Sequence, residues 1–310
     1  MLLALIFFVG GLVALTLGAD RFVLSASRLS RVLGLSPILI GALVIGLGTS
    51  APEMLVSGLA AWRGQIDLAV GNVIGSNTAN LSLVLGSAAL VATIVSHAKT
   101  ILREGLLMLV AMVAASLMLW SLDLGRIEAA ILVLSLFAAG YLLVRWARVD
   151  PEIVAARVAE NTEDVRVGVE WAVGLSTLLL TLVGADLLVR GAIRMADELG
   201  ITSAFVGLVI VSVGTSLPEL ATALAAARRG ETDLVLGNLV GSNLFNTLAV
   251  LGLAGLVGPG VVSAEFKGAI IYMLVVAVVA GGFVVSGRRL QRWQGAVLLA
   301  LFLGFVALSA

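Results

Sequence analysis

The chain has no cysteine and a single histidine, His97, in 310 residues. Disulfides, thiolate metal sites and cysteine nucleophiles are therefore excluded. A lone histidine beside Lys99 in a short polar connection reads as a loop residue, which argues against histidine-based zinc chemistry. Charge is scarce too: 12% of residues are charged, and the 19 basic and 19 acidic side chains cancel. Soluble domains carry about 25% charged residues, so most of this surface faces something other than water. The balanced charge and a pI of about 6.6 leave no basic footprint for nucleic acid. Apolar residues are what is abundant, at 60% with a mean hydropathy of +1.14. Apolar runs such as 106–122, 131–144, 173–183, 270–285 and 296–308 lie between polar or charged breaks. The longer ones approach the roughly 20 residues that cross about 30 Å of hydrocarbon, so the chain reads as an integral membrane protein.

An internal repeat gives the organisation. Residues 18–86 align without a gap on 184–252, at a constant offset of 166, with 29 of 69 positions identical. Gly18-Ala19-Asp20 falls on Gly184-Ala185-Asp186, and Gly48-Thr49-Ser50-x-Pro52-Glu53 on Gly214-Thr215-Ser216-x-Pro218-Glu219. Asp67-Leu68-x-x-Gly71-Asn72-x-x-Gly75-Ser76-Asn77-x-x-Asn80 recurs with the same spacing from Asp233 to Asn246. Shared helix-packing glycines would match Gly and Ala but not Glu, Asn, Ser and Asp, so duplication is the better account. Residues 1–17 lack a basic start and a cleavage site, and they run directly into the repeat, so they read as a retained first helix.

Five spans per half are expected, at 1–19, 34–62, 67–95, 104–121 and 126–147, then 169–190, 200–228, 233–258, 266–286 and 292–309. An odd number makes the second repeat enter the membrane in the opposite orientation, the inverted-repeat plan of secondary transporters. With both termini outside, the inner connections hold 14 basic residues and the outer ones five, in line with the positive-inside bias. The expected fold is all-α: ten transmembrane helices in two inverted five-helix repeats, 1–147 and 169–310, in the cell membrane. Residues 148–168, with Asp150, Glu152, Glu160, Glu163 and Asp164, read as a cytoplasmic linker too short for a regulatory domain. Asp67 and Asp233 are expected as N-caps of spans 3 and 8. Asp20 and Asp186 are expected to end spans 1 and 6, pairing with nearby arginines.

Two features interrupt the apolar helices of each repeat. Pro52 and Pro218 remove an amide donor and clash with the carbonyl four residues back. The Gly-Thr-Ser before each proline therefore keeps unsatisfied carbonyls and hydroxyls at mid-membrane depth, where broken backbone is tolerated only when buried or lining a cavity. In the second feature, Ser76 and Asn80 are four residues apart and share a helical face with Asn72 and Gly75, while the glycines allow an opposing helix to approach closely. Glu53 and Glu219 lie inside apolar spans, where a carboxylate costs roughly 2.5–3.5 kcal/mol on insertion scales. No Arg or Lys on the same helix is near enough to neutralise either, so a bound cation is the expected counter-charge. The ligands on offer are all hard oxygen, which suits Ca²⁺, Na⁺, K⁺ or Mg²⁺ and argues against Zn²⁺ or Cu⁺. Ca²⁺ accepts six to eight such oxygens in flexible geometry; monovalent ions could divide the same oxygens among subsites and compete with it.

Both repeats resemble the α-repeats of the cation/Ca²⁺ exchanger superfamily, and the nearest match is to prokaryotic Na⁺/Ca²⁺ exchangers. The motif G-T-S-x-P-E followed by G-N-x-x-G-S-N-x-x-N, present twice, carries the resemblance, which is sharpest over 41–86 and 207–252. The resemblance implies that broken helices of spans 2, 3, 7 and 8 form a core around four ion subsites, past which spans 1 and 6 slide. It implies a central Ca²⁺ subsite bridged by Glu53 and Glu219 with Thr49 and Thr215. One flanking Na⁺ subsite would use the Gly46 carbonyl, Thr49, Ser50 and Ser76. Its twin would use the Ser212 carbonyl, Thr215, Ser216 and Ser242, with Asn80 and Asn246 lining the centre. Family members often carry alanine at the places of Gly46 and Ser212, where the carbonyl is the ligand. K⁺-dependent relatives carry Asp at the place of Asn246, so asparagine at both central positions argues against K⁺ dependence. The implied function is antiport of three Na⁺ for one Ca²⁺ by a monomer, with no cofactor and no enzymatic step. Ca²⁺/H⁺ exchange on the same fold and a cation channel remain the alternatives.

Overall fold

The structure is a computed structural model that describes residues 1–95, 98–146, 166–199, 212–287 and 289–309. His97, nearly all of the linker 148–168 and the first half of span 7 lie outside the described residues. The first repeat runs α1 (Leu2–Val32), α2 (Pro37–Thr49), α3 (Ala51–Trp62), α4 (Ile66–Val91), α5 (Ala98–Leu119) and α6 (Arg126–Trp146). The second runs α7 (Val167–Glu198), α8 (Ser212–Thr215), α9 (Leu217–Arg228), α10 (Thr232–Val257), α11 (Phe266–Gly287) and α12 (Arg292–Ser309). Four two-residue strands complete it: β1 (Ile94–Val95), β2 (Asp123–Leu124), β3 (Gly260–Val261) and β4 (Arg289–Leu290). Among the described residues seven helices are long and apolar enough to cross a membrane, or eight if α2 and α3, bent by 45° at their junction, count as one.

Burial separates a centre from a periphery. The most apolar windows of α4 and α10 are 83% and 78% buried, against 22–39% for the other membrane-length helices. The two motif helices are therefore the axis of the molecule, and the rest present leucine, valine and phenylalanine outward, as lipid contact requires. Tight turns deliver both motif helices: Gly64 and Gly230, mates at the 166 offset, take φ of +74° and +72°, a region that glycine enters without steric cost.

The repeat extends further than sequence identity shows. β1 pairs with β4, Ile94 opposite Leu290, and β2 pairs with β3, Leu124 opposite Gly260. Adding 166 to Ile94 gives Gly260, and adding it to Leu124 gives Leu290. The two bridges are thus symmetry mates, and the offset persists without a gap well beyond residue 86. α1 and α7 lie side by side and antiparallel: Phe8 meets Gly191, Leu15 meets Gly184, and Gly18 meets Thr181. Opposite directions for the first helix of each repeat are what an inversion requires.

Two local expectations are corrected. Asp20 and Asp186 do not end their helices; α1 continues to Val32 and α7 to Glu198. Nothing after Asp20 breaks a helix until Gly34, whose φ is +61°, and Arg229 neutralises the aspartate through two bonds of 2.9 and 2.6 Å. The expected pairing with arginines does occur, since Asp186 also binds Arg190 at 2.7 Å. Nor are Asp67 and Asp233 N-caps: both sit in the first turn, after Gln65 and Glu231 in the cap position. Asp67 instead accepts the Ser263 amide at 2.8 Å, tying the β3–α11 connection to the start of α4.

Candidate ion-binding site

The helix breaks form as proline dictates. Pro52 and Pro218 stand in the first turn of α3 and α9, where the missing amide is no loss. The residues before those helices, Ser50 (φ −81°, ψ 7°) and Ser216 (φ −89°, ψ 8°), share one conformation. Both lie in the sparsely populated bridge region frequented by functional residues. Each break is followed within a turn by its glutamate, so Glu53 and Glu219 start new helices at the molecule's centre. Gly46, in the last turn but one before the first break, is buried, and Ser212 begins α8.

Both glutamates are shut away from the surface, Glu53 at 0% and Glu219 at 1% exposure. Glu53 accepts hydrogen bonds from Ser76 at 3.4 Å and Ser216 at 3.5 Å, and Glu219 accepts from Ser50 at 3.0 Å. Ser50 and Ser216 therefore reach across to the other repeat's carboxyl. The two carboxyls are near enough to repel each other when both are ionised. Thr49 is buried and donates to the Ile45 carbonyl at 3.0 Å, while Thr215 is half-buried. Ser242 donates to the Gly46 carbonyl at 3.3 Å, so that carbonyl faces a hydroxyl of the second repeat, and Ser242 also faces Glu219 as Ser76 faces Glu53.

Several buried oxygens here have no hydrogen-bond partner: Glu53 Oε2, Glu219 Oε2, Asn80 Oδ1 and Asn246 Oδ1. Buried polar atoms in folded proteins are paired in the large majority, so four orphans gathered from matched positions of two repeats call for an occupant. Asn80 and Asn246 each open a π-helical stretch, Asn80–Val84 and Asn246–Val250, a distortion frequent at functional sites. No cluster of three or more His, Cys, Asp or Glu occurs among the described residues. Two carboxylates with neutral oxygens can thus cancel a divalent charge without the surplus of anions that would hold it permanently.

Sequence reasoning left two asparagines out of the ligand set that the structure places at the centre of the hydrogen bonding. Asn238 Nδ2 donates to Thr222 at 3.3 Å and the Glu219 carbonyl at 3.5 Å, and its Oδ1 accepts from Thr49 at 3.5 Å and Ser242 at 3.3 Å. Asn72 Nδ2 donates to Ser57 at 3.0 Å and the Glu53 carbonyl at 3.4 Å. The signal was available, since both belong to the duplicated Gly-Asn pair. A third omission is Glu104, buried on α5 with Oε2 unpaired. Its mate at the offset is Ile270, so it stands outside the symmetric site.

The glycines of α10 set how closely the repeats approach. Gly237 meets Ile38 and Gly41, and Gly241 meets Ala42, so α2 and the first half of α10 run parallel in backbone contact. A methyl on Gly41 would lie 2.8 Å from the Leu234 carbonyl oxygen and 2.9 Å from the Asn238 nitrogen. Those neighbours are backbone and cannot turn aside, so only glycine brings Asn238 within reach of Thr49.

Comparison with known proteins places the chain in a family. The family described as sodium/calcium exchanger protein matches residues 3–147 and 169–310. The putative antiporter CaxA of Alkalimonas amylolytica is 39% identical, covering 98% of both chains. The sodium/calcium exchanger MaX1 of Methanosarcina acetivorans is 30% identical over 96% of this chain and 95% of its own. A solved structure of the sodium-calcium exchanger NCX_Mj, soaked with Na⁺ and Sr²⁺, superposes with a TM-score of 0.88 and 29% identity, covering 99% of this chain and 98% of the other. The chain belongs to the sodium/calcium exchanger protein family, a family of membrane antiporters for cations and Ca²⁺.

Proposed function

We propose that this protein exchanges Na⁺ for Ca²⁺ across the cell membrane by alternating access, three Na⁺ for one Ca²⁺. The observation that carries the proposal is the pair of buried carboxyls, each with an unpaired oxygen, contributed by equivalent positions of two repeats. Their joint charge of −2 matches one Ca²⁺. Glu53 and Glu219 hold Ca²⁺ at the centre with Thr49 and Thr215. Na⁺ takes the same carboxyls together with Ser50, Ser76 and the Gly46 carbonyl on one flank, and Ser216, Ser242 and the Ser212 carbonyl on the other. Asn80 and Asn246 line the centre. Because both ions need the same two carboxylates, they cannot be bound together, and that competition couples their movements.

The proposed scaffold is ten transmembrane helices in two inverted repeats, 1–147 and 169–310, joined by a cytoplasmic linker, with both termini outside and the monomer as the working unit. Three Na⁺ for one Ca²⁺ moves one net charge, worth about 2.3 kcal/mol per 100 mV of membrane potential. The test is ⁴⁵Ca²⁺ flux in proteoliposomes with Na⁺, K⁺ and pH gradients imposed one at a time. A Na⁺ gradient should drive Ca²⁺ uphill and respond to voltage. Uphill flux under a pH gradient in Na⁺-free medium, with none under Na⁺, would replace this reading with Ca²⁺/H⁺ exchange.

A further inference from the structure

Glu104 lies near the start of α5, within the apolar span that begins at Leu102. It is 2% exposed and makes no hydrogen bond or ion pair with any described residue. An uncompensated carboxylate is costly inside a bilayer, and buried polar atoms are paired in the large majority, so Glu104 calls for a partner. Two charged groups are near enough to be felt there, Asp233 and Arg103. Asp233 is itself acidic, and the Arg103 guanidinium lies over the Trp146 ring, 5.8 Å from its centroid. Neither borders the space beside Glu104. That space is a cavity of about 230 Å³ among α2, α4, α5, α10 and α11. Glu104 is the only ionisable side chain on its wall, and the rest is aliphatic residues, glycine and Met108. Leu106 and Val278, both 60% exposed, mark its opening on the outer surface between α5 and α11. Part of the room comes from Gly281 and Gly282 on the same wall, where an added methyl would meet nothing within 4 Å. Their mates at the offset are Ala115 and Ser116, and that of Glu104 is Ile270. The acid and the space beside it both depart from the duplicated plan, and the ion site explains neither.

We propose that this cavity binds a lipophilic tertiary amine from the bilayer, its apolar body against the aliphatic wall and its ammonium on Glu104. Size, polarity and charge carry the choice. An apolar cavity of about 150 Å³ holds benzene, so this one admits an aromatic ring with a short aminoalkyl arm. Ca²⁺ takes six to eight oxygens, and one carboxyl on an aliphatic wall does not make a metal site. A phospholipid headgroup does not fit either, because no side chain of the wall donates to a phosphate and Glu104 repels it. A cation that needs one acceptor does fit. A primary ammonium carries three donors, two of which would be stranded against leucine and valine. A tertiary ammonium carries one, and a charge-assisted bond to a carboxylate satisfies it. The cavity shares no residue with the candidate ion site, so this binding rests on no reading of which ions are carried.

The test is photolabelling of the full chain in phosphatidylcholine nanodiscs with N,N-dimethylbenzylamine carrying a diazirine on its ring, the adducts being mapped by mass spectrometry. Labelling should saturate and fall on the segments of α5 and α11 that line the cavity. Glu104→Gln, which keeps the shape of the side chain, should weaken it roughly tenfold, the scale of a hydrogen bond to a charged group. A probe with carbon in place of the amine nitrogen should bind the unaltered protein as weakly, and Glu104→Gln should not weaken it further. As a second variant, Gly281→Leu places a side chain where the wall leaves room and raises helix propensity, so it should block labelling without loss of fold. Thermal unfolding of both variants checks that the fold is kept. Equal labelling by the amine and its carbon analogue, or labelling untouched by Glu104→Gln, overturns the pairing with Glu104. Labelling that does not saturate, spreads over the outer helices and ignores Gly281→Leu is partition into the bilayer and overturns the site. Adducts on α3 or α9 that excess Ca²⁺ prevents place the amine at Glu53 and Glu219 and overturn it as well.

Discussion

The two halves of the candidate ion site carry nearly the same side chains and do not use them alike. In the first repeat Thr49 is buried and bound to Asn238, while its mate Thr215 is half-buried. Ser50 reaches Glu219 at 3.0 Å, while Ser216 reaches only to 3.5 Å from Glu53. Ser242 faces the glutamate of its own repeat and also crosses to the Gly46 carbonyl, while Ser76 faces only the glutamate of its own repeat. A duplicated sequence folded in one state need not be symmetric, and a transporter's should not be. If both halves were packed alike, both faces of the membrane would stand in the same relation to the site. The difference between halves is thus a property of the state, whereas the identity of their residues is a property of the cycle.

The largest effect should appear where the halves share one function. Glu53→Gln and Glu219→Gln each remove one of two charges facing the proposed cation, and each should abolish measurable exchange. At tenfold in affinity for every 1.4 kcal/mol, loss of a charge-assisted ligand in a buried site is enough to remove Ca²⁺ binding at millimolar concentrations. Equilibrium ⁴⁵Ca²⁺ binding and flux should fall together in both variants. If one variant kept near-normal flux while the other lost it, the central site would belong to a single repeat.

Much of this arrangement is legible in the amino-acid sequence. The spacing of Gly-Thr-Ser-x-Pro-Glu locates both breaks, and the 166 offset pairs every site residue with its mate, because duplication preserves chemistry that spacing can display. Positions settled by long-range partners are not legible. The partner of Asp20 is Arg229, 209 residues away in sequence. Asn238 looks like the rest of its motif until Thr49 arrives from the other repeat. The β1–β4 and β2–β3 bridges keep the offset in register where side chains have diverged, since lipid-facing apolar residues can be exchanged freely and leave no identity to align.

A middle-sized effect should separate the crossing serines. The Ser50–Glu219 bond is the shorter, and a hydrogen bond to a charged group contributes about 1.5–3 kcal/mol. Ser50→Ala should weaken Na⁺ activation of flux by roughly tenfold on that scale, and Ser216→Ala by less in the state described. Na⁺ titration of Ca²⁺ flux in each variant reads the difference. Equal effects would mean that flux is limited by a state in which the two bonds have changed places, and that result would sharpen the comparison rather than remove it.

The smallest effect concerns the braces that hold the duplicated asparagines. Asn72 is held by Ser57, four residues beyond Glu53, and Asn238 by Thr222, three residues beyond Glu219. The mate of Ser57 is Ala223 and that of Thr222 is Val56, so the hydroxyl has moved one position along the helix between repeats. Either position faces the asparagine, because three and four residues after the glutamate both fall on the glutamate's side of a helix. Ser57→Ala should therefore cost about 1 kcal/mol by leaving the half-buried Asn72 donor short of one partner. That corresponds to about 2 °C in the midpoint of thermal unfolding for a chain of this size. Adding Val56→Thr to Ser57→Ala transplants the second repeat's brace into the first and should recover most of the loss. Failure to recover, with the fold otherwise intact, would show that α3 and α9 are rotated differently against their asparagine helices, so that the repeats match in sequence more closely than in helix orientation.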